Sequence, residues 1–142
     1  MKQYAVGYTT GVYDMFHIGH LNIFKKAKEY CDFLIVGVTT DELCVHRKHK
    51  KPIVCEAERI QIVDSIKYVD KVVLQEDMDK LKQVKQYQVN VVFVGSDWKG
   101  TPEWKKYEEE FASVGCSVIY LEHTEGISST LLRERLMSQN GE

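Results

Sequence analysis

Phe33-Leu34-Ile35-Val36-Gly37-Val38-Thr39 is a nearly continuous apolar run of strand length. A strand with one wet face alternates apolar and polar side chains. A run without alternation reads as a strand covered on both sides, as in a parallel sheet wrapped by helices. Working outward, short apolar runs recur at Tyr4–Tyr8, Lys71–Leu74, Val89–Val94 and Ser117–Leu121, and helical periodicity fills the gaps between them. Ile18–Cys31 puts Leu21, Phe24, Ala27 and Cys31 on one face, and Glu56–Lys67 carries Ala57, Ile60, Val63 and Ile66 at about one-turn spacing. A further helix passes through Met78, Leu81 and Val84. Thr101-Pro102 opens another with a cap residue and a proline at its first position, Gly115 closes it, and Ser128–Met137 forms the last. Residues 46–51 read as a basic loop. Parallel neighbours need crossover connections, so this alternation implies an α/β fold. The expectation is one domain over residues 1–142, a doubly wound five-stranded parallel sheet with helices on both faces.

The chain has 142 residues, 44% of them hydrophobic, enough for a real core, and it shows no internal repeat or linker. A formal charge of −2 argues against a nucleic-acid-binding surface. The positive charge is concentrated instead: His46-Arg47-Lys48-His49-Lys50-Lys51 holds four permanent cations in six residues. No apolar run approaches the roughly 18–20 residues of a membrane span, and Met1-Lys2-Gln3-Tyr4 leads straight into a strand-like segment without a signal-peptide core. Cys31, Cys44, Cys55 and Cys116 follow no disulfide or C-x-x-C spacing. A reducing cytoplasm is the expected location. Cys44, His46, His49 and Cys55 are all metal-ligand types, but their spacing matches no compact zinc pattern and the intervening lysines would repel a cation, so no metal site is expected there.

The chemistry-bearing residues follow strands rather than precede them, at Gly11–His20, Gly95–Gly100 and His123–Ser129. In open parallel sheets ligands bind beyond the carboxyl ends of the strands, where the winding reverses. His17 and His20 lie three apart at a helix start, so their rings share a face beside free backbone N–H groups and the positive end of the helix dipole. That arrangement suits phosphate. Gly19 between them would let a ligand approach the backbone, and Asp14 would anchor the loop or cap the helix. The plainer reading, a capped helix with two ordinary histidines, is less economical with glycines on both sides and a strand just ahead. Thr124, Gly126, Ser128 and Ser129 make a second polar helix entry at the same edge. The basic run follows the second strand and reads as a loop closing over a polyanion. The G-x-x-x-x-G-K-[ST] phosphate loop is absent.

Gly11-Val12-Tyr13-Asp14 followed by His17-Ile18-Gly19-His20 resembles the G-x-[FY]-D-x-x-H-x-G-H signature of the cytidylyltransferase family. Thr124-Glu125-Gly126-Ile127-Ser128-Ser129 resembles its second signature, R-T-E-G-I-S-T-T. Glu58-Arg59, the stretch Ile66–Asp70 and Gly95-Ser96-Asp97-Trp98 match as well, so the likeness covers nearly the whole chain. The chain's size is similar to that of the members acting on glycerol 3-phosphate. The resemblance implies a Rossmann-like sheet of strand order 3-2-1-4-5, a homodimer, and transfer of CMP from CTP to a phosphorylated alcohol, with Mg²⁺ accompanying the triphosphate. It implies that His17, His20, Lys48 and Lys50 are catalytic. Val12, Tyr13, Asp14, Gly19, Lys67, Asp97, His123, Thr124, Gly126, Ile127, Ser128 and Ser129 would join the histidines in holding the nucleotide, and Lys48 and Lys80 would hold the acceptor. Three positions depart from the pattern: His123 stands where the second signature has arginine, Val12 where threonine is common, and Glu76–Lys82 lacks a tryptophan.

A phosphate monoester has a second pKa of about 6, so it is a usable nucleophile at neutral pH without a general base. The task is to bring two polyanions together in line, which positioning and fixed positive charge can supply. Phosphoethanolamine, phosphocholine or a sugar phosphate as acceptor, ATP as donor, and a nucleotide-binding module without turnover are the alternative readings.

Overall fold

A computed structural model describes residues 2–140. Its five strands are β1 (Tyr4–Gly11), β2 (Cys31–Thr39), β3 (Lys71–Gln75), β4 (Val91–Gly95) and β5 (Ser117–Leu121). They form one sheet in the order β3-β2-β1-β4-β5, and every neighbouring pair is parallel. The connecting helices are α1 (Ile18–Tyr30), α2 (Asp41–Lys48), α3 (Glu56–Asp64), α4 (Lys80–Gln86) and α5 (Pro102–Ala112), and α6 (Ser129–Asn140) follows β5. The chain winds outward from β1 to β3, then returns to the other side of β1 for β4 and β5. The switch point therefore lies between β1 and β4.

Both faces of the sheet are covered, as the apolar run in β2 requires. Leu34, Val36 and Val38 point to a core shared with Phe24 and Ala27 of α1 and Val63 of α3. Tyr8, Ile35 and Val92 point the other way, onto Val84 of α4 and Trp104 and Phe111 of α5. Burial in β2 is unbroken from Leu34 to Thr39.

Several elements differ from the sequence expectation. The basic run does not begin as a loop: its first half is the last turn of α2, where His46, Arg47 and Lys48 complement the negative helix end while Asp41 and Glu42 complement the start. Thr40 caps this helix, its hydroxyl accepting from the Leu43 amide at 3.1 Å. β1 runs three residues past Tyr8 because Thr9, Thr10 and Gly11 pair with Val36, Gly37 and Val38. β4 starts at Val91, while Val89 closes the α4 turn through its amide and the Val84 carbonyl at 2.9 Å. α3 stops at Asp64; Ile60, Val63 and Ile66 pack on the core as expected, but Ala57 is exposed and Arg59 is buried.

Arg59 is 1% exposed and acts as a bracket between loops. Its guanidinium donates to the carbonyls of Val12 at 2.7 Å, Thr39 at 2.8 Å and Val54 at 2.9 Å, and pairs with Asp41 Oδ1 at 2.6 Å. It therefore ties the end of β2, the loop after β1 and the segment entering α3 to one point. Arg59→Met keeps the length but leaves these carbonyls without a donor, so it should cost about 3–5 kcal/mol in urea unfolding. Lys82→Ala removes an exposed pair with Asp77 at 3.8 Å and should change stability by less than about 0.5 kcal/mol. Equal effects from the two variants would refute this account of the buried arginine.

Candidate active site

The loop after β1 turns sharply. Tyr13 (φ 56°) and Met15 (φ 49°) both adopt left-handed backbone, which non-glycine residues accept only where packing compels it. The compulsion here is the Tyr13 ring, buried against His20 at 5.4 Å and Phe24 at 5.1 Å between centroids. The ring folds back over Gly11, where a Cβ would come within 2.8 Å of it.

This loop delivers His17 to the N-cap of α1. His17 Nδ1 accepts from the Gly19 amide at 3.1 Å, and His20 Nδ1 accepts from the His17 amide at 3.2 Å. The two histidines thus form a reciprocal capping box, a role more usual for Ser and Glu. Their rings stack at 3.8 Å with 24° between planes. A nitrogen that accepts from a backbone N–H carries no proton, so in the neutral rings the proton sits on Nε2 of each. Burial lowers the pKa of His17, and burial followed by the neighbouring His17 lowers that of His20 to about 4. Both rings are therefore neutral donors at physiological pH. His17 Nε2 is buried and has no partner. Gly19, expected to admit a ligand, makes room for the His17 ring itself: a Cβ there would lie 2.9 Å from its Cε1.

The second helix entry abuts the first. Asn22 of α1 donates to Thr124 Oγ1 at 2.8 Å, and the Ser129 hydroxyl donates to the Asp14 carbonyl at 2.7 Å. The Ser128 hydroxyl caps α6 by accepting from the Leu131 amide at 3.0 Å. Between the two helix tips opens a cleft of about 330 Å³, bordered by Val12, Tyr13, His17, Gly19 and His20 on one side and by His123, Thr124, Ile127, Ser128 and Ser129 on the other. Gly126 holds φ +78° in the turn between these segments. Asp97 reaches the cleft through His123, whose Nε2 lies 2.6 Å from its carboxylate.

Two cavities, each with more cationic than anionic side chains in its lining, flank the cleft. One, of about 250 Å³, is reached past Tyr13 and His20 and bordered by Lys48, Lys50, Thr130 and Arg133. The other, of about 290 Å³, lies beyond Thr10 and Val12 and is bordered by Lys48, Lys80, Trp98 and Trp104. Lys48 closes α2 and Lys50 follows His49, which ends the helix in left-handed conformation at φ 58°. Lys80, only 7% exposed, donates to Thr10 Oγ1 at 2.9 Å, and burial first, then the Arg47 charge, lowers its pKa to about 8.

Two of the expected residues do not border the main cleft. Asp14 is 3% exposed and fully engaged: its carboxylate accepts from the Ile53 amide at 2.9 Å and the Val54 amide at 2.8 Å and pairs with Arg133. Burial alone would raise its pKa, but the Val54 and Ile53 amides and the Arg133 guanidinium outweigh burial and lower it. It anchors the site instead of facing the cleft. Lys67 is not brought to the cleft. It lies exposed in the turn after α3, before β3 begins, with its ammonium 5.2 Å from the Tyr68 ring centroid. Thr10, Trp104 and Arg133 border the cavities and escaped the sequence reading, and Trp98, quoted there only as part of a motif, borders the cleft as well. The alternation of β1 could have flagged Thr10; Arg133 carries no local signal, because its partner is 119 residues away. Among the described residues no group of three or more His, Cys, Asp or Glu could hold a metal ion.

A family model described as "Cytidylyltransferase-like" matches residues 8–135. Among curated relatives, the glycerol-3-phosphate cytidylyltransferase of Staphylococcus aureus is 37% identical, with 93% of this chain and 95% of that protein aligned. An FAD synthase of Archaeoglobus fulgidus is 31% identical over 93% of this chain and 97% of its own length. Among solved structures, a lipopolysaccharide core biosynthesis protein from Thermoplasma volcanium superposes with a TM-score of 0.71 at 26% identity, covering 85% of this chain and 97% of that one. The matched span runs from β1 into α6 and takes in both helix entries of the cleft; the chain belongs to the cytidylyltransferase-like family.

Proposed function

We propose that the protein transfers CMP from CTP to glycerol 3-phosphate, giving CDP-glycerol and pyrophosphate by direct in-line attack. One observation carries this: an unpartnered, buried Nε2–H on His17, stacked on the equally neutral His20, at a helix N-terminus bordering the cleft. Such donors cost nothing to reorient when charge develops on phosphoryl oxygens, and each is worth most where water is excluded. The acceptor's phosphate oxygen forms the new bond to the α-phosphorus as the bond to the β-phosphate oxygen breaks. His17 and His20 donate to the α-phosphoryl oxygens in flight. Lys48 and Lys50 offset the charge of the departing pyrophosphate, and Lys48 and Lys80 hold the incoming phosphate. The nucleoside would lie along Val12, Tyr13, Gly19 and the His123–Ser129 turn, with Asp97 and His123 at its outer end.

The carboxylates nearest the cleft are committed, Asp14 to amides and Arg133 and Asp97 to His123. Mg²⁺ would therefore arrive on the triphosphate, held by its phosphates and neutralising part of their charge. The glycerol-3-phosphate cytidylyltransferase relatives in Staphylococcus aureus and Bacillus subtilis support the acceptor. Four free thiols suit a reducing cytoplasm, and no described helix is long and apolar enough to cross a membrane. A homodimer follows from the family resemblance. The FAD synthase relative and the loss of the signature arginine at His123 make ATP the competing donor to test.

His17→Ala and His20→Ala should each lower pyrophosphate release from CTP and glycerol 3-phosphate by about a hundredfold or more. Rates near that of the parent would refute the mechanism. CTP should raise the melting temperature more than ATP at equal concentration, because the more tightly bound ligand stabilises more; the reverse order would overturn the donor. Acid stability tests the neutral imidazoles. With a folded pKa of about 4 against an ordinary 6.5, His20 takes up its proton in the unfolded chain first, so its contribution is intact above pH 6.5 and is lost as pH falls toward 4. His20→Gln keeps a capping-box side chain but not this titration, so unfolding free energy should fall less steeply over that window. An unchanged slope would show that the ring titrates normally.

A further inference from the structure

The cavity beside Lys80 contains both signs of charge. Arg47 and Lys48 reach it from α2, and Lys80 rises from its floor, held by Thr10 at 2.9 Å. Among the described residues lining it, Glu103 is the one carboxylate. Its place is set by a stiff helix start: the Thr101 hydroxyl accepts from the Trp104 amide at 3.3 Å, Pro102 fixes the first helical residue, and the Trp104 ring is buried at 5% exposure. A carboxylate in a first helical turn serves the helix dipole wherever it points. Here it also stands over a cavity whose other charged groups are all cations, close enough that its charge raises the Lys80 pKa against burial and Arg47.

We propose that Glu103 is the specificity determinant of the acceptor cavity, accepting hydrogen bonds from the free hydroxyls of a small polyol phosphate and turning away acceptors with a second anionic group. The inference rests on the acceptor reading given under the proposed function and extends it to the alcohol end of that substrate. Such a molecule has one dianionic end and one neutral end rich in O–H donors. Arg47, Lys48 and Lys80 match the first. An ionised carboxylate, which can only accept, matches the second. The flat rings of Trp98 and Trp104 offer apolar surface to the carbon chain between the ends. A ligand carboxylate at the polyol end would meet a like charge, which is how a site rejects a near relative of its substrate. A hydroxyl removed from the ligand would leave the Glu103 oxygens without a donor, the kind of loss that discriminates strongly.

The test measures kcat/KM for pyrophosphate release with saturating CTP and three acceptors: glycerol 3-phosphate, propyl phosphate, which lacks both hydroxyls, and 3-phosphoglycerate, which carries a carboxylate in place of the terminal alcohol and keeps the middle hydroxyl. The wild-type protein should prefer glycerol 3-phosphate to each of the others by about tenfold or more. Glu103→Ala should shrink both preferences by about tenfold. Glu103→Gln, still able to accept from hydroxyls, should keep the preference over propyl phosphate and lose most of that over 3-phosphoglycerate. KM for CTP should stay within about twofold in both variants. A merely structural role would slow all three acceptors together and leave the ratios unmoved; that result, or a wild-type protein that shows no preference, overturns the inference alone. A wild-type protein that turns over none of the three with CTP overturns the acceptor reading and this inference with it.

Discussion

The site depends on two backbone amides giving their hydrogens to imidazole nitrogens at the start of α1. Helix N-termini always have unsatisfied amides, and the usual remedy is a hydroxyl or carboxylate. Using His17 and His20 for that purpose couples a structural need to a chemical one. Once Nδ1 of each ring is occupied, the tautomer is no longer free, and the remaining N–H on each is a fixed donor. The stacking of the rings and their burial then keep both neutral. A helix cap has thereby become a pair of fixed donors at the edge of the cleft.

A cap of this kind must be presented by a rigid loop, and Asp14 supplies the rigidity. Two segments far apart in sequence converge on this one residue: the entrance to α3 through the Ile53 and Val54 amides, and α6 through Arg133 on its carboxylate and the Ser129 hydroxyl on its carbonyl. Arg59 does the same from the next layer inward, holding the Val12 carbonyl from behind. The left-handed backbone of Tyr13 and Met15 persists because these brackets leave the loop no alternative of lower energy. Packing and buried charge, rather than the loop's own preferences, set where the cleft opens.

Much of this was legible from residues alone. The unbroken apolar run in β2 required cover on both faces, and the alternation of elements required parallel strands, so the sheet and the edge bearing the site followed. The H-x-G-H spacing located the stacked rings. Three things could not be read. The helix α2 was hidden because four cations in six residues look like a solvated loop, although three of the basic residues complete a helix end. The burial of Arg59 on α3 was hidden because a periodicity count treats an arginine as polar and therefore outward, whereas the carbonyls that offset its burial lie on other elements; Ile60, Val63 and Ile66 pack on the core as their spacing implies. The place of Lys67, off the cleft in the turn after α3, was not legible because likeness to a motif identifies a residue type but not the end of the sheet at which it emerges.

The enclosure of Lys80 has a consequence for how this protein responds to its surroundings. An ammonium group held near pH 8 by burial is already partly deprotonated in mildly alkaline solution. Any dianion settling against it restores its basicity, so capture above that pH draws a hydrogen ion from the medium, and the heat of binding will differ between buffers of different ionisation enthalpy. The same group on the surface would remain charged throughout and bind without such exchange. A buried lysine would thus make the capture of a dianion in this cavity a proton-linked event.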